Sequence, residues 1–191
     1  MKIKISFFCA IMIAALFLSH SYLSISALLA ATLHELGHIA CAKKLGIPLS
    51  ELKLGIFGAS LMPRGSLCSY KDEILLCAAG PLVNIICGIA LFPFRNSLGD
   101  LATFFMCSSL FLGTLNLLPV TDFDGGRILS CIISQTISPQ AAATVCRRIS
   151  FSLVIALWMI SVYLLLRLHA SLSLFVFSSS LFCKIFIREK N

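Results

Sequence analysis

Residues 32–39 read TLHELGHI and place two histidines and a glutamate inside one of the most apolar parts of the chain. His34 and His38 are four residues apart, so on a helix their imidazoles lie on one face, one turn apart. In this H-E-x-x-H spacing the two imidazoles can bind one zinc ion, while the neighbouring Glu35 activates a water molecule. The stretch therefore predicts a helix that carries part of a zinc site.

The composition places this helix in a membrane. Of the 191 residues, 59% are hydrophobic and only 12% are charged, whereas an average soluble domain is about one quarter charged. The net charge of +7 comes from sparse residues at the ends of apolar runs, which argues against a nucleic-acid surface. The nine cysteines contain no C-x-x-C pair, so they indicate neither a disulfide framework nor a metal site.

Six apolar runs predict six transmembrane helices, because a crossing needs about 17 to 25 residues and only the first run is shorter. The first run follows Lys2 and Lys4 and also fits a secretory signal peptide. An uncleaved helix is favoured, since apolar sequence continues after it. The runs are Ile5–Ser19, Tyr22–Ala42, Glu73–Phe94, Leu101–Pro119, Ser150–Leu166 and Ala170–Ile187.

The positions of Lys and Arg predict the orientation. With both termini cytoplasmic, all of the 15 basic residues except Arg95 and Arg167 fall on the cytoplasmic side, as the positive-inside rule requires. The histidine pair then lies roughly 7 to 14 Å inside the cytoplasmic boundary, given the helical rise before Lys43. Two core histidines without a metal would still carry the cost of polar groups at membrane depth, which favours a zinc site.

Two long connections complete the predicted fold. In Leu52–Met62 apolar and polar residues partly alternate on either side of Gly58, which predicts a short membrane-associated β-hairpin or loop. This segment either presents a strand edge to an extended substrate or shields the site. Val120–Arg148 continues as an amphipathic helix. The expected fold class is an all-α membrane protein with a three-helix catalytic core. We expect a single domain over 1–191, with the core at about 22–129, C-terminal helices at about 150–187, and no PDZ or CBS domain.

A catalytic zinc usually has three protein ligands, and no further histidine follows His38 at the spacing of soluble H-E-x-x-H enzymes. Residues 116–129 read NLLPVTDFDGGRIL. In this segment Pro119 ends a helix and two glycines let the backbone turn, so that a carboxylate can return to the depth of the metal. An ordinary loop with solvated aspartates fits the segment equally well. Downstream glutamates are few: Glu51, Glu73 and Glu189.

Three segments in this order, HELGH, AAGPLVN (78–84) and NLLPVTDFDGGRIL, resemble the site-2 protease family of intramembrane zinc metalloproteases, peptidase family M50. The layout is most similar to the branch of stage IV sporulation protein FB. The resemblance implies one zinc ion per chain, a general base and two asparagines that support the substrate or the oxyanion. In this sequence these are the zinc ligands His34, His38 and Asp124, the base Glu35, and the asparagines Asn84 and Asn116.

The third ligand is open to one alternative within the motif, because Asp122 lies only two residues before Asp124. Asp124 is favoured because it directly precedes the glycine pair. The resemblance further implies substrates such as membrane-tethered sigma-factor precursors or anti-sigma factors, membrane regulatory subunits and a role in sporulation. Two other functions fit the sequence: a CAAX-type zinc protease that uses a glutamate such as Glu73, and a non-catalytic metal-binding scaffold.

Overall fold

The computed structural model describes residues 2–5, 21–47, 49–55, 58–63, 69–168 and 172–190. Its residues form two compact units, Met1–Leu118 and Pro119–Asn191. The first unit contains a small sheet and three helices. The second contains three further helices. The expectation of one domain over the whole chain stays a prediction.

The three helices of the first unit are α1 (Tyr22–Lys44), α2 (Tyr70–Leu91) and α3 (Asp100–Asn116), with one turn of 3-10 helix at Phe92–Phe94 after α2. Serine hydroxyls cap the first two helices: Ser21 accepts from the backbone of Ser24 and Ser69 from that of Lys71. Each helix packs against the other two. Together they form the predicted three-helix core.

Small residues bring these helices close together, as is common for helices that pack within a membrane. A Cβ atom on Gly37 of α1 would lie 2.9 Å from the carbonyl oxygen of Ala79 and 3.1 Å from the Cα of Gly80 on α2. A Cβ on Gly113 of α3 would lie 2.9 Å from the carbonyl oxygen of Pro81. The backbones of α1 and α3 therefore approach α2 as closely as glycine permits.

The predicted hairpin after the histidine helix is confirmed. Strand β2 (Leu49–Gly55) pairs antiparallel with β3 (Gly58–Pro63). A third strand, β1 (Lys2–Ile5), pairs in parallel with β2, and the sequence did not predict it. The predicted first transmembrane helix lies almost wholly in 6–20, outside the described residues, and Ile5, expected to begin it, ends β1 instead.

The second unit contains α4 (Asp124–Thr136), α5 (Pro139–Leu168) and α6 (Leu172–Lys190). Helix α5 begins well before Ser150, where the apolar run suggested its start. Ser138 caps it by accepting from the backbone of Ala141 at 3.1 Å, and proline is favourable at a first helical position. The amphipathic helix predicted up to Arg148 is therefore divided into α4 and the first turns of α5.

Helices α5 and α6 pack against each other through hydroxyl groups. The Oγ atoms of Ser161 and Ser178 are 2.6 Å apart, and Trp158 Nε1 donates to Ser179 Oγ at 3.1 Å. Such hydrogen bonds between helices are typical of membrane proteins, where water does not compete for them.

Among the described residues, three helical segments are long and apolar enough to cross a membrane: Tyr22–Lys44, Tyr70–Phe94 and Pro139–Arg167. Helix α3 has 17 residues, which is at the lower end of the spanning range of about 17 to 25 residues. Helix α6 contains a shorter apolar stretch, Phe175–Phe186. Five of the six predicted apolar runs thus correspond to described helices.

Candidate metal centre

The two histidines of α1 point their Nε2 atoms at each other. Both residues are buried, each with 5% of its surface exposed, and the two Nε2 atoms are 3.1 Å apart. Two nitrogen ligands of one tetrahedral zinc ion, each at about 2.0 to 2.1 Å, are about 3.3 Å apart. The spacing of the pair therefore fits two ligands of the same ion.

The orientation of His38 is fixed by a backbone group of α2. Its Nδ1 donates to the carbonyl oxygen of Leu76 at 2.7 Å. With the proton on Nδ1, the lone pair of Nε2 is available to a metal. This contact is the outer hydrogen bond that histidine ligands of metals usually make.

His34 has its own contact on α2. Its Nδ1 is 3.4 Å from Nδ2 of Asn84, whose side chain is fully buried. The sequence assigned Asn84 to the substrate or the oxyanion, and the structure places it against a predicted zinc ligand. Both imidazoles are thus contacted at Nδ1 from α2, while their Nε2 atoms converge.

Gly80 leaves room beside the converging nitrogens. A Cβ atom at this position would lie 2.9 Å from Nε2 of His34 and would overlap the ring of His38. A space that a single methyl group would fill, next to two imidazole lone pairs, suits a small cation. The donor atoms and the space therefore fit zinc.

Sequence reasoning did not identify the part that Gly80 and Leu76 play in this site. Gly80 lies in the AAGPLVN segment, but one sequence does not reveal which neighbour excludes a side chain there. The carbonyl of Leu76 has no sequence signature, since every residue carries a backbone carbonyl.

Two further predicted residues lie in the first unit. Glu35 follows His34 on α1 and is half-buried. Asn116 ends α3, where its Nδ2 donates to the carbonyl oxygen of Leu112 on the same helix at 3.1 Å. Of the two predicted asparagines, Asn84 therefore contacts the predicted ligand His34, whereas Asn116 forms a hydrogen bond within its own helix.

The predicted carboxylate segment begins the second unit. Asp124 is the first residue of α4, directly after the buried Phe123. A Cβ atom on Gly126 would overlap the carbonyl group of Val120, so this glycine allows the chain to fold back tightly onto the start of the helix. The turn before α4 also contacts α5, because the backbone N–H of Thr121 donates a hydrogen bond to Ser150 Oγ at 2.8 Å.

The two aspartates of the segment differ in their surroundings. Asp122 Oδ1 lies 2.9 Å from Nζ of Lys184 on α6, in an ion pair whose lysine is 42% exposed. The carboxylate of Asp122 is thus engaged within its own unit.

Comparisons with known proteins agree with this picture. A sequence model of Peptidase family M50 matches residues 93–157. A zinc metalloprotease of Methanocaldococcus jannaschii is 32% identical over 152 residues, which cover 76% of this chain and 44% of that protein. A solved site-2 protease of the same organism matches with a TM-score of 0.69 and 26% identity, covering 97% of this chain and 90% of that one. Residues 93–157 thus match peptidase family M50, and the fold matches that of a site-2 protease.

The chain is also similar to stage IV sporulation protein FB of Bacillus subtilis, with 30% identity over 144 residues, 71% of this chain and 49% of that protein. The chain spans about half the length of the curated relatives it matches. The predicted family resemblance and the helical fold with its hairpin are confirmed. Its apolar helices and these similarities make the chain a membrane protein, and the matched family implies zinc.

Proposed function

We propose that the chain is an intramembrane zinc endopeptidase that cleaves a membrane-associated or transmembrane protein near the cytoplasmic face. The observation that carries this proposal is the pair of buried Nε2 atoms 3.1 Å apart on an apolar helix. The match to peptidase family M50 and the similarity to a zinc metalloprotease support it.

The proposed zinc ligands are His34, His38 and Asp124, residue types that together can hold a metal ion. Two imidazoles and one carboxylate are a ligand set that catalytic zinc accepts, with a fourth position left open. When bound, zinc polarises a carbonyl group and lowers the pKa of water. The ion pair of Asp122 with Lys184 supports Asp124 as the third ligand.

The chain's own residues supply the proton transfers and the binding of the substrate. Glu35 accepts a proton from the attacking water and returns it to the amine that leaves. Asn116, at the end of α3, is proposed to contact the substrate or the oxyanion. A transmembrane substrate must first unwind, since its helical carbonyls are already hydrogen-bonded. Strand β3 is at the edge of the sheet and is the proposed partner of the extended segment.

The proposed location is the cell membrane, crossed several times, with both termini in the cytoplasm. The distribution of the 15 Lys and Arg residues supports this orientation. The proposed partners are membrane-tethered precursors, among which sigma-factor precursors and anti-sigma factors are the first to test, and membrane regulatory subunits. The similarity to the Bacillus subtilis sporulation protein motivates this choice and the proposal of a role in sporulation.

Comparative proteomics of cells that express the wild type or Glu35→Gln tests the function. We expect a cleavage product with an end near the cytoplasmic face of a membrane segment in wild-type cells and its loss in the variant. That product would identify the substrate. Identical profiles, with both proteins carrying zinc, would favour the metal-binding scaffold instead.

Replacing the third ligand separates the two aspartates. We expect Asp124→Ala to weaken zinc binding by more than about 100-fold, since even outer partners of a metal site contribute about 10- to 100-fold. The matched control Asp122→Ala removes the ion pair with Lys184 within the second unit and should keep zinc. Chelator competition on the purified proteins measures both affinities.

Loss of zinc in Asp122→Ala alone would make Asp122 the ligand. Retention of zinc in both variants would contradict the aspartate site. Glu73, the glutamate that a CAAX-type protease would use, is then the next residue to replace.

A further inference from the structure

The side chain of Asn84 is a polar group whose burial calls for an explanation. It is fully buried on α2, and its Nδ2 atom lies 3.4 Å from Nδ1 of His34. Within the described part of the chain its Oδ1 atom has no hydrogen-bond partner. A buried polar atom without a partner is costly, so an apolar side chain of the same size would suit this position better if it served packing alone.

The metal chemistry of His34 determines what Asn84 must do. To bind zinc through Nε2, the neutral imidazole carries its proton on Nδ1, so the group that faces Nδ1 has to accept a hydrogen bond. The amide nitrogen of asparagine only donates. The amide oxygen accepts, and the two ends of the amide have nearly the same shape, so that their assignment follows from the hydrogen bonds they make.

We propose that Asn84 is a positioning residue whose amide oxygen accepts the Nδ1–H of His34 and so directs the Nε2 lone pair to the metal. This inference rests on the proposed zinc site. It gives His34 the same support that the carbonyl of Leu76 gives His38 at 2.7 Å. Helix α2 then supplies both acceptors and fixes the tautomers of both ligands.

The packing behind Asn84 keeps its side chain in place. Gly113 of α3 lies against it, since a Cβ on this glycine would be 3.2 Å from the Cβ of Asn84. This packing and the complete burial of Asn84 hold its amide against His34.

Two substitutions of similar size distinguish an Asn84 that accepts a hydrogen bond from His34 from one that donates a hydrogen bond to it. Asn84→Asp keeps acceptor oxygens and removes the donor, whereas Asn84→Leu removes both. We expect Asn84→Leu to bind zinc about 10- to 100-fold more weakly, the usual effect of losing an outer partner, and Asn84→Asp to bind at least as tightly as the wild type. Chelator competition with zinc on purified protein in detergent gives the affinities, and circular dichroism verifies the helices.

Asn116→Leu is the matched control, because the amide of Asn116 bonds to its own helix; its zinc affinity should equal that of the wild type. Wild-type affinity in Asn84→Leu would overturn the inference, and so would a loss in Asn84→Asp, even if Asn84→Leu fails to fold. A wild-type protein that binds no zinc would refute the proposed zinc site itself. Failure of that proposal is thereby distinguished from failure of this inference.

Discussion

Glu35→Gln is expected to reduce cleavage by about 10²- to 10⁴-fold, the contribution of a positioned general base, while zinc remains bound at the wild-type ratio. Glutamine has the shape of glutamate and preserves α1, but it cannot take a proton from water. The directly neighbouring His34 keeps its Nε2 towards that of His38. Cleavage of a membrane substrate by purified protein gives the rate, and elemental analysis of the same sample gives the zinc content.

Glu73→Gln is the matched control, since Glu73 lies in the first turn of α2 and has no role in the proposed mechanism. It should cleave at the wild-type rate and keep its zinc. A Glu35→Gln protein that cleaves normally would contradict the general base. Loss of zinc in Glu73→Gln would point to the glutamate ligand of a CAAX-type site.

The helix that carries the histidine pair was predictable because an apolar run in a membrane has few other structures available to it. The run Tyr22–Ala42 became α1, Tyr22–Lys44, since the two lysines extend the helix by one half turn at its end. The start of α5 was missed for the opposite reason. The helix begins where Ser138 caps it and Pro139 occupies its first position, whereas the apolar run used for the prediction begins only at Ser150.

The contacts that complete the site could not be predicted, because they depend on how helices face each other. The bond from His38 to the carbonyl of Leu76 joins α1 to α2, and the pairing of Asp122 with Lys184 joins the start of α4 to α6. Motif spacing indicated which residues were candidates. It did not distinguish an asparagine that supports a ligand from one that contacts substrate, and the contact between Asn84 and His34 suggests the first role.

Gly80→Ala is expected to abolish zinc binding, with a loss of affinity that exceeds the about 10- to 100-fold effect of an outer partner, and to abolish cleavage with it. The added methyl group would lie 2.9 Å from Nε2 of His34 and would overlap the ring of His38. An alanine at this position would therefore push the two imidazoles out of the arrangement in which their Nε2 atoms face each other. The helices are tightly packed beside it, since a Cβ on Gly37 of α1 would lie 3.1 Å from the Cα of Gly80.

Gly88→Ala on the same helix separates this local effect from a general disturbance of packing. Its Cβ would meet the side chain of Leu110 instead of the histidines, so we expect destabilisation of about 1 to 3 kcal/mol, as for other overpacked positions, with zinc still bound. Chelator competition and thermal unfolding of both variants measure the two effects. Zinc binding by Gly80→Ala at wild-type affinity would contradict the site, because the methyl group fits only if the two imidazoles move.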